Sequence, residues 1–290
     1  MTSMQTPQPG GILGGLVEAR RQLQEAAADA RIVVFCGIPG VGKSLLLREQ
    51  HELALQHGRR VSRLQWDVSR QAFEIPAVLS RYPEVDGSTH VAIRHAAGLW
   101  VRAAIERWYR SHPKLEDMLL IEAPLVGGRF SELARVTADA AEPLLNSTHT
   151  RFFVPTPTSE VRLAIEAARR AETQESRHVR DRANASPQLV DALWREVAVT
   201  AARLRLGADG AASTYSPDLY FSLYQTVLRH RRVSRLTIDR VVADQGSPHA
   251  LHAATEELAP TADEVQQSLS LTESQDPVSV IEQATRWYET

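Results

Sequence analysis

The strongest apolar pattern in the chain is an unbroken run at 32–36, Ile-Val-Val-Phe-Cys. A continuous run this short belongs to a strand buried on both faces, as in a parallel sheet. Segments 61–66, 118–121 and 151–155 read as further strands, and 233–238 is a candidate fifth strand. Between the runs the apolar period becomes that of a helix. Leu13, Leu16, Val17 and Leu23 line one side of an expected helix over 13–30. Leu45, Leu46 and Leu47 open another that runs to about 56, where His57-Gly58 is a stop signal. Segment 69–80 predicts a short helix interrupted by Pro76, and 89–110 a long one carrying Val91, Leu99, Ala103 and Trp108. Further helices are expected at 130–141, from 159 through Arg169-Arg170, and at 189–206, 218–230 and 248–258, with two short ones in 261–289. Strands alternating with helices predict an α/β fold: a parallel five-stranded sheet flanked by helices, with a helical C-terminal extension. The expected division is a disordered start and N-terminal helix over 1–30, a core over 31–185, and a mainly helical region over 186–290 that adds the strand near 233–238.

Composition narrows the function classes. The chain has 290 residues, 43% of them hydrophobic, which is enough for a sizeable core. A formal net charge of −2 offers no broad electrostatic surface for nucleic acid, although a local basic site is compatible with it. Lysine occurs only at 43 and 114, and every other basic side chain besides histidine is arginine. The single cysteine, Cys36, excludes an internal disulfide and a cysteine-based zinc site, and its position inside an apolar strand reads as a small buried hydrophobe. The first residues, MTSMQTPQPGG, lack the charged and apolar regions of a signal peptide, and no apolar run approaches the length of a membrane span. A cytoplasmic protein with no membrane partner is expected.

The chemistry concentrates after the first strand. Gly37-Ile38-Pro39-Gly40-Val41-Gly42-Lys43-Ser44 fits G-x-x-x-x-G-K-[ST] at every fixed position, between a strand and a helix. Glycines let backbone N–H groups turn inward around phosphate oxygens where a Cβ would collide. The helix that follows points its N-terminus at the same anion. The expected nucleotide cradle is Gly37, Pro39, Gly40, Val41, Gly42, Lys43, Ser44 and Leu45. Lys43 would reach the β- and γ-phosphates of ATP, and the Ser44 hydroxyl would hold Mg²⁺.

Residues just past the carboxyl ends of the other strands face the same place. The second strand delivers Asp67, positioned to take the proton of an attacking hydroxyl or, alternatively, to cap the next helix. Arg70 falls on the same side three residues later. The third strand delivers Glu122, which would position Mg²⁺ through water, a role usually carried by Asp. The helix over 89–110 carries His90, Arg94, His95 and Arg102, either as a basic outer face or as a lining of an acceptor pocket. Trp66, Trp100, Phe152 and Phe153 read as core.

With G-x-P-G-x-G-K-S followed by a strand ending in D-x-x-R-Q, the stretch over 31–185 resembles the P-loop kinases, most closely polynucleotide 5′-hydroxyl kinases and more loosely zeta-toxin-like and small-molecule kinases. The resemblance implies that Asp67 is the base toward the acceptor hydroxyl and that Arg70 contacts substrate phosphate. It also implies an arginine-bearing lid after the fourth strand. Two clusters occupy that region, Arg162, Arg169 and Arg170, and Arg177, Arg180 and Arg182, and the sequence does not choose between them. The expected activity is ATP-dependent transfer of the γ-phosphate to a hydroxyl of a small molecule or a nucleic-acid 5′ end. The alternatives are a regulatory ATPase of AAA-like type coupled to a partner, and a nucleotide-binding module without turnover.

Overall fold

The fold is built around β1 (Ile32–Cys36), which sends Ile32, Val34 and Cys36 into one hydrophobic cluster and Val33 and Phe35 into another. That division is the period-two geometry of a strand covered on both faces. The computed structural model describes residues 15–85, 87–172, 187–207, 215–241 and 255–290. In chain order, α1 (Val17–Asp29) precedes β1, and α2 (Lys43–Gln56) follows it. Next come β2 (Arg60–Gln65), α3 (Trp66–Phe73), α4 (Pro76–Leu79) and α5 (Val91–Ser111). Then β3 (Asp117–Ala123), α6 (Glu142–Leu145), β4 (Thr150–Pro157), α7 (Ser159–Glu172), α8 (Pro187–Arg203) and α9 (Pro217–Val227) follow. The chain continues through β5 (Val233–Ile238), β6 (Glu256–Leu258), α10 (Ala262–Glu273) and α11 (Pro277–Thr285).

The sheet order is β5-β4-β1-β3-β2-β6, and each adjacent pair is parallel. One face is covered by α1, α2 and Val161 of α7, the other by α3, α5, α8, α9, α10 and Trp287. Parallel strands put all their carboxyl ends at one edge, so the segments after β1, β2, β3 and β4 meet there. No helix among the described residues is long and apolar enough to cross a membrane.

Three expectations are corrected. The sheet has six strands, not five, because 256–258 forms a parallel edge strand beside β2 where a helix over 248–258 was expected. Its register is held by side chains. Ser62 Oγ donates to the Glu256 carboxylate at 2.6 Å, and Arg63 donates to Glu257 at 2.8 Å. Residues 248–254 lie outside the described residues.

The expected helix over 130–141 is replaced by two short 3₁₀ turns, Val126–Gly128 and Ser131–Leu133, and irregular chain. Two buried arginines claim the carbonyls a helix would use. Arg102 donates to Glu132 O and Arg135 O, and Arg231 to Leu133 O and Arg135 O. Finally, His95 and Arg102 of α5 do not lie on an outer face: both are buried, and α10 and α11 pack across the helix.

Candidate functional site

The loop at 37–44 turns on glycines in the left-handed region, with φ of +143° at Gly37, +89° at Gly40 and +90° at Gly42. A side chain at these positions would be strained, so the glycines are a requirement of the turn. Gly42 caps α2 with no side-chain acceptor on the helix's first N–H groups. Those groups therefore face the loop's interior.

Lys43 and Ser44, at the start of α2, point toward β3. Lys43 is 5% exposed; its Nζ donates to Ile38 O at 3.1 Å and lies 3.6 Å from Glu122 Oε1. Ser44 Oγ donates to Glu122 Oε2 at 3.1 Å. Glu122 sits inside β3, in register with Phe35 of β1 and with Gln65 of β2. Gln65 Nε2 donates to Glu122 Oε2 at 3.2 Å. Lysine, serine and glutamine thus converge on one carboxylate at the mouth of the loop. Cys36, one residue before the loop, is fully buried, and burial pushes its thiol up.

Asp67 is not at a strand end. β2 stops at Gln65 because Trp66 turns inward, its ring set edge-on to Phe130 at 5.1 Å, and α3 begins at that residue. Asp67 therefore lies in the first turn of α3, with its side chain 62% exposed. The cap residue is Gln65, so Asp67 does not cap the helix. Arg70 Nε lies 3.6 Å from Asp67 Oδ1 and Arg70 Nη1 donates to Glu74 Oε2 at 2.6 Å. Burial disfavours the Arg70 charge, but the bonds to Glu74 and the field of Asp67 raise its pKa on balance. Asp67 and Arg70 stand at the same sheet edge as Lys43 and Ser44, past the neighbouring strands.

Of the lid arginines, Arg162 is described. Its Nε donates to Glu166 at 2.7 Å, and its guanidinium lies over Tyr215 at 4.5 Å and Trp194 at 5.3 Å. Arg169 and Arg170 fall on α7, with side chains outside the described residues. Arg177, Arg180 and Arg182 lie outside the described residues altogether.

Two groups escaped sequence reasoning. Tyr220 of α9, fully buried, accepts a hydrogen bond from the Ile38 N–H at 3.2 Å, and burial drives its phenol well above the ordinary range. A contact across 182 positions leaves no local signature. Arg129, beyond β3, has its pKa lowered to about 10 by burial and by Arg94, and it feels Asp67 and Arg70 as well. Its signal was faint: an arginine directly after the Gly127-Gly128 pair.

The donor set suits a hard cation. One hydroxyl and one carboxylate supply oxygen only, which is how Mg²⁺ is held when phosphates and water complete its shell. Among the described residues no cluster of three or more acidic, histidine or cysteine side chains forms a metal cage. The chain matches no family model, no curated protein and no solved structure.

Proposed function

We propose that the chain is an ATP-dependent kinase with the P-loop at 37–44. The observation that supports it is the meeting of Lys43 and Ser44 on the Glu122 carboxylate beneath a glycine turn. In this reading the backbone N–H groups of 40–45 and the start of α2 cradle the phosphates. Lys43 stabilises charge on the β- and γ-phosphates as the bond to the γ-phosphorus breaks. Ser44, with Glu122, would hold Mg²⁺, which would offset the charge of the phosphate oxygens. Gln65 fixes the orientation of Glu122. Asp67, exposed at the same edge, accepts the proton of the acceptor hydroxyl while that oxygen attacks; ADP leaves. Arg70, 3.6 Å from Asp67, faces the acceptor.

A second reading, an ATPase whose hydrolysis moves a partner, draws on one contact. The Tyr220 bond to Ile38 ties α9 to the loop, so a change in the loop would move the helix. ATP turnover with Mg²⁺ separates the readings, measured with and without a pool of 5′-hydroxyl oligonucleotides, nucleosides and sugars. The kinase reading expects acceptor-dependent γ-phosphate transfer. Lys43→Ala should lower it about 100-fold or more, and Asp67→Asn by about 100-fold or more. Acceptor-independent hydrolysis that ignores Asp67→Asn would establish the ATPase instead.

A further inference from the structure

A cavity close to this edge lies between α5, α8 and α11, under the turn that follows β3, with a volume of about 360 Å³. That is the size of a small-molecule site. Val91, Val199 and Ile281 wall it, Thr200 and Arg203 stand at one side, and Arg94 and Glu196 supply its inner charge. Arg129 lies directly behind. At Gly127, which lines the cavity, an added Cβ would stand 2.6 Å from Arg129 Nη1 and 3.1 Å from Glu196 Oε1.

The charges here are poorly matched. Arg129 donates to Val126 O and Ser88 Oγ, and Arg94 to Gly127 O; among the described residues neither forms an ion pair. Arg94 Nε is buried with no hydrogen-bond partner among the described residues. Two guanidiniums thus share the field of one nearby carboxylate, Glu196, whose own pKa burial raises. The other carboxyl within reach of Arg94 is Glu132, and burial raises it to about 7. Asp67 and Glu74, on the far side, are already engaged by Arg70. A buried positive charge with no counter-charge in contact is expensive, and an arriving oxyanion relieves it with bidentate bonds.

We propose that this cavity binds a small oxyanion, a phosphate or carboxylate group attached to an apolar body, on Arg94, with the charge of Arg129 behind it. The site stands on its own geometry. Its assignment to the acceptor rests on the kinase reading, and is favoured by the path from the cavity to Asp67. Arg129 reaches Ser88; Thr89 Oγ1 donates to Glu74 at 3.0 Å; Glu74 holds Arg70 beside Asp67. An acceptor anchored by its anion at one end of that path would present a hydroxyl at the other.

Calorimetric titration with inorganic phosphate and with butyrate tests the site. The background is Lys43→Ala, which blunts phosphate binding at the loop and cannot support transfer. Binding there should weaken about tenfold in Arg94→Gln, the loss of one charged hydrogen bond. It should tighten in Glu196→Gln, which removes the competing carboxylate without changing shape. A merely unfolded variant cannot show that gain. Preference for phosphate or for butyrate tells which oxyanion the acceptor carries. Binding indifferent to both substitutions, or no binding at all, overturns the proposal. Neither result bears on γ-phosphate transfer, which is measured separately in the wild-type chain.

Discussion

At the scale of single residues, the tightest constraint near the loop is Gly37. Its φ is +143°, and an added Cβ would stand 2.3 Å from Tyr220 Oη and 3.0 Å from a Val41 methyl. Strain and collision act together, so Gly37→Ala should cost about 1–3 kcal/mol of stability. The oxygen is the part that can be removed. In a Tyr220→Phe background the same substitution should cost less, because the ring then ends short of the new methyl. The difference is a coupling energy, read from a double-mutant cycle of denaturant midpoints. Equal costs in the two backgrounds would mean that the backbone alone demands glycine. Tyr220→Phe has its own effect, since it leaves the buried Ile38 N–H without an acceptor, a loss of about 1–3 kcal/mol.

At the scale of elements, the chain was legible wherever the signal was local. β1, α2 and β5 lie where their apolar runs placed them, and Lys43 and Ser44 could be singled out because motif and site are contiguous. Glu122 followed from its place on an apolar strand. What stayed hidden depends on contacts between distant positions. β6 contains two glutamates, poor strand formers, and is held by Ser62 and Arg63, 194 positions earlier. The segment after β3 has helical composition, yet Arg231 from the far end of the chain takes its carbonyls. Arg231 is therefore the keystone of that segment. It is fully buried and bonds both oxygens of Glu142, at 2.7 and 3.0 Å. Arg231→Ala should cost about 2–3 kcal/mol, because it strips the Leu133 carbonyl of its donor and leaves the half-buried Glu142 carboxylate to Arg102 alone. The surface pair Arg235–Asp218, with Asp218 86% exposed, is the control: Asp218→Asn should change stability by less than about 1 kcal/mol. Chemical denaturation of the two variants checks both numbers, and comparable losses would refute the distinction.

At the scale of the whole molecule, stability should carry the mark of one buried acid. The Glu132 carboxyl packs against α5 so closely that a Cβ on Gly98 would overlap it, and its Oε2 has no hydrogen-bond partner among the described residues. Burial raises its pKa from 4.5 to about 7, against the pull of its own backbone N–H, Arg135, Arg102 and Ser131. The folded chain thus holds a proton between pH 4.5 and 7 that the unfolded chain has lost. Stability contributed by this group is full below about pH 4.5, falls as pH rises through that window, and is lowest above about 7. The whole swing is about 3 kcal/mol, at 1.36 kcal/mol per pKa unit. Other groups act differently. His51, His90 and His95 are held low by burial, so they destabilise the fold as pH falls through their ordinary range. Burial favours the neutral forms of Asp139 and Glu142, but Arg102 and Arg231 lower their pKa on balance, so their effect falls below the usual carboxylate range. Comparing wild type with Glu132→Gln cancels these contributions and leaves one. The variant should be more stable by up to about 3 kcal/mol at pH 8, and its advantage should shrink steadily toward pH 5. A difference that does not change with pH would show that Glu132 titrates normally and that its surroundings are wetter than the packing against Gly98 implies.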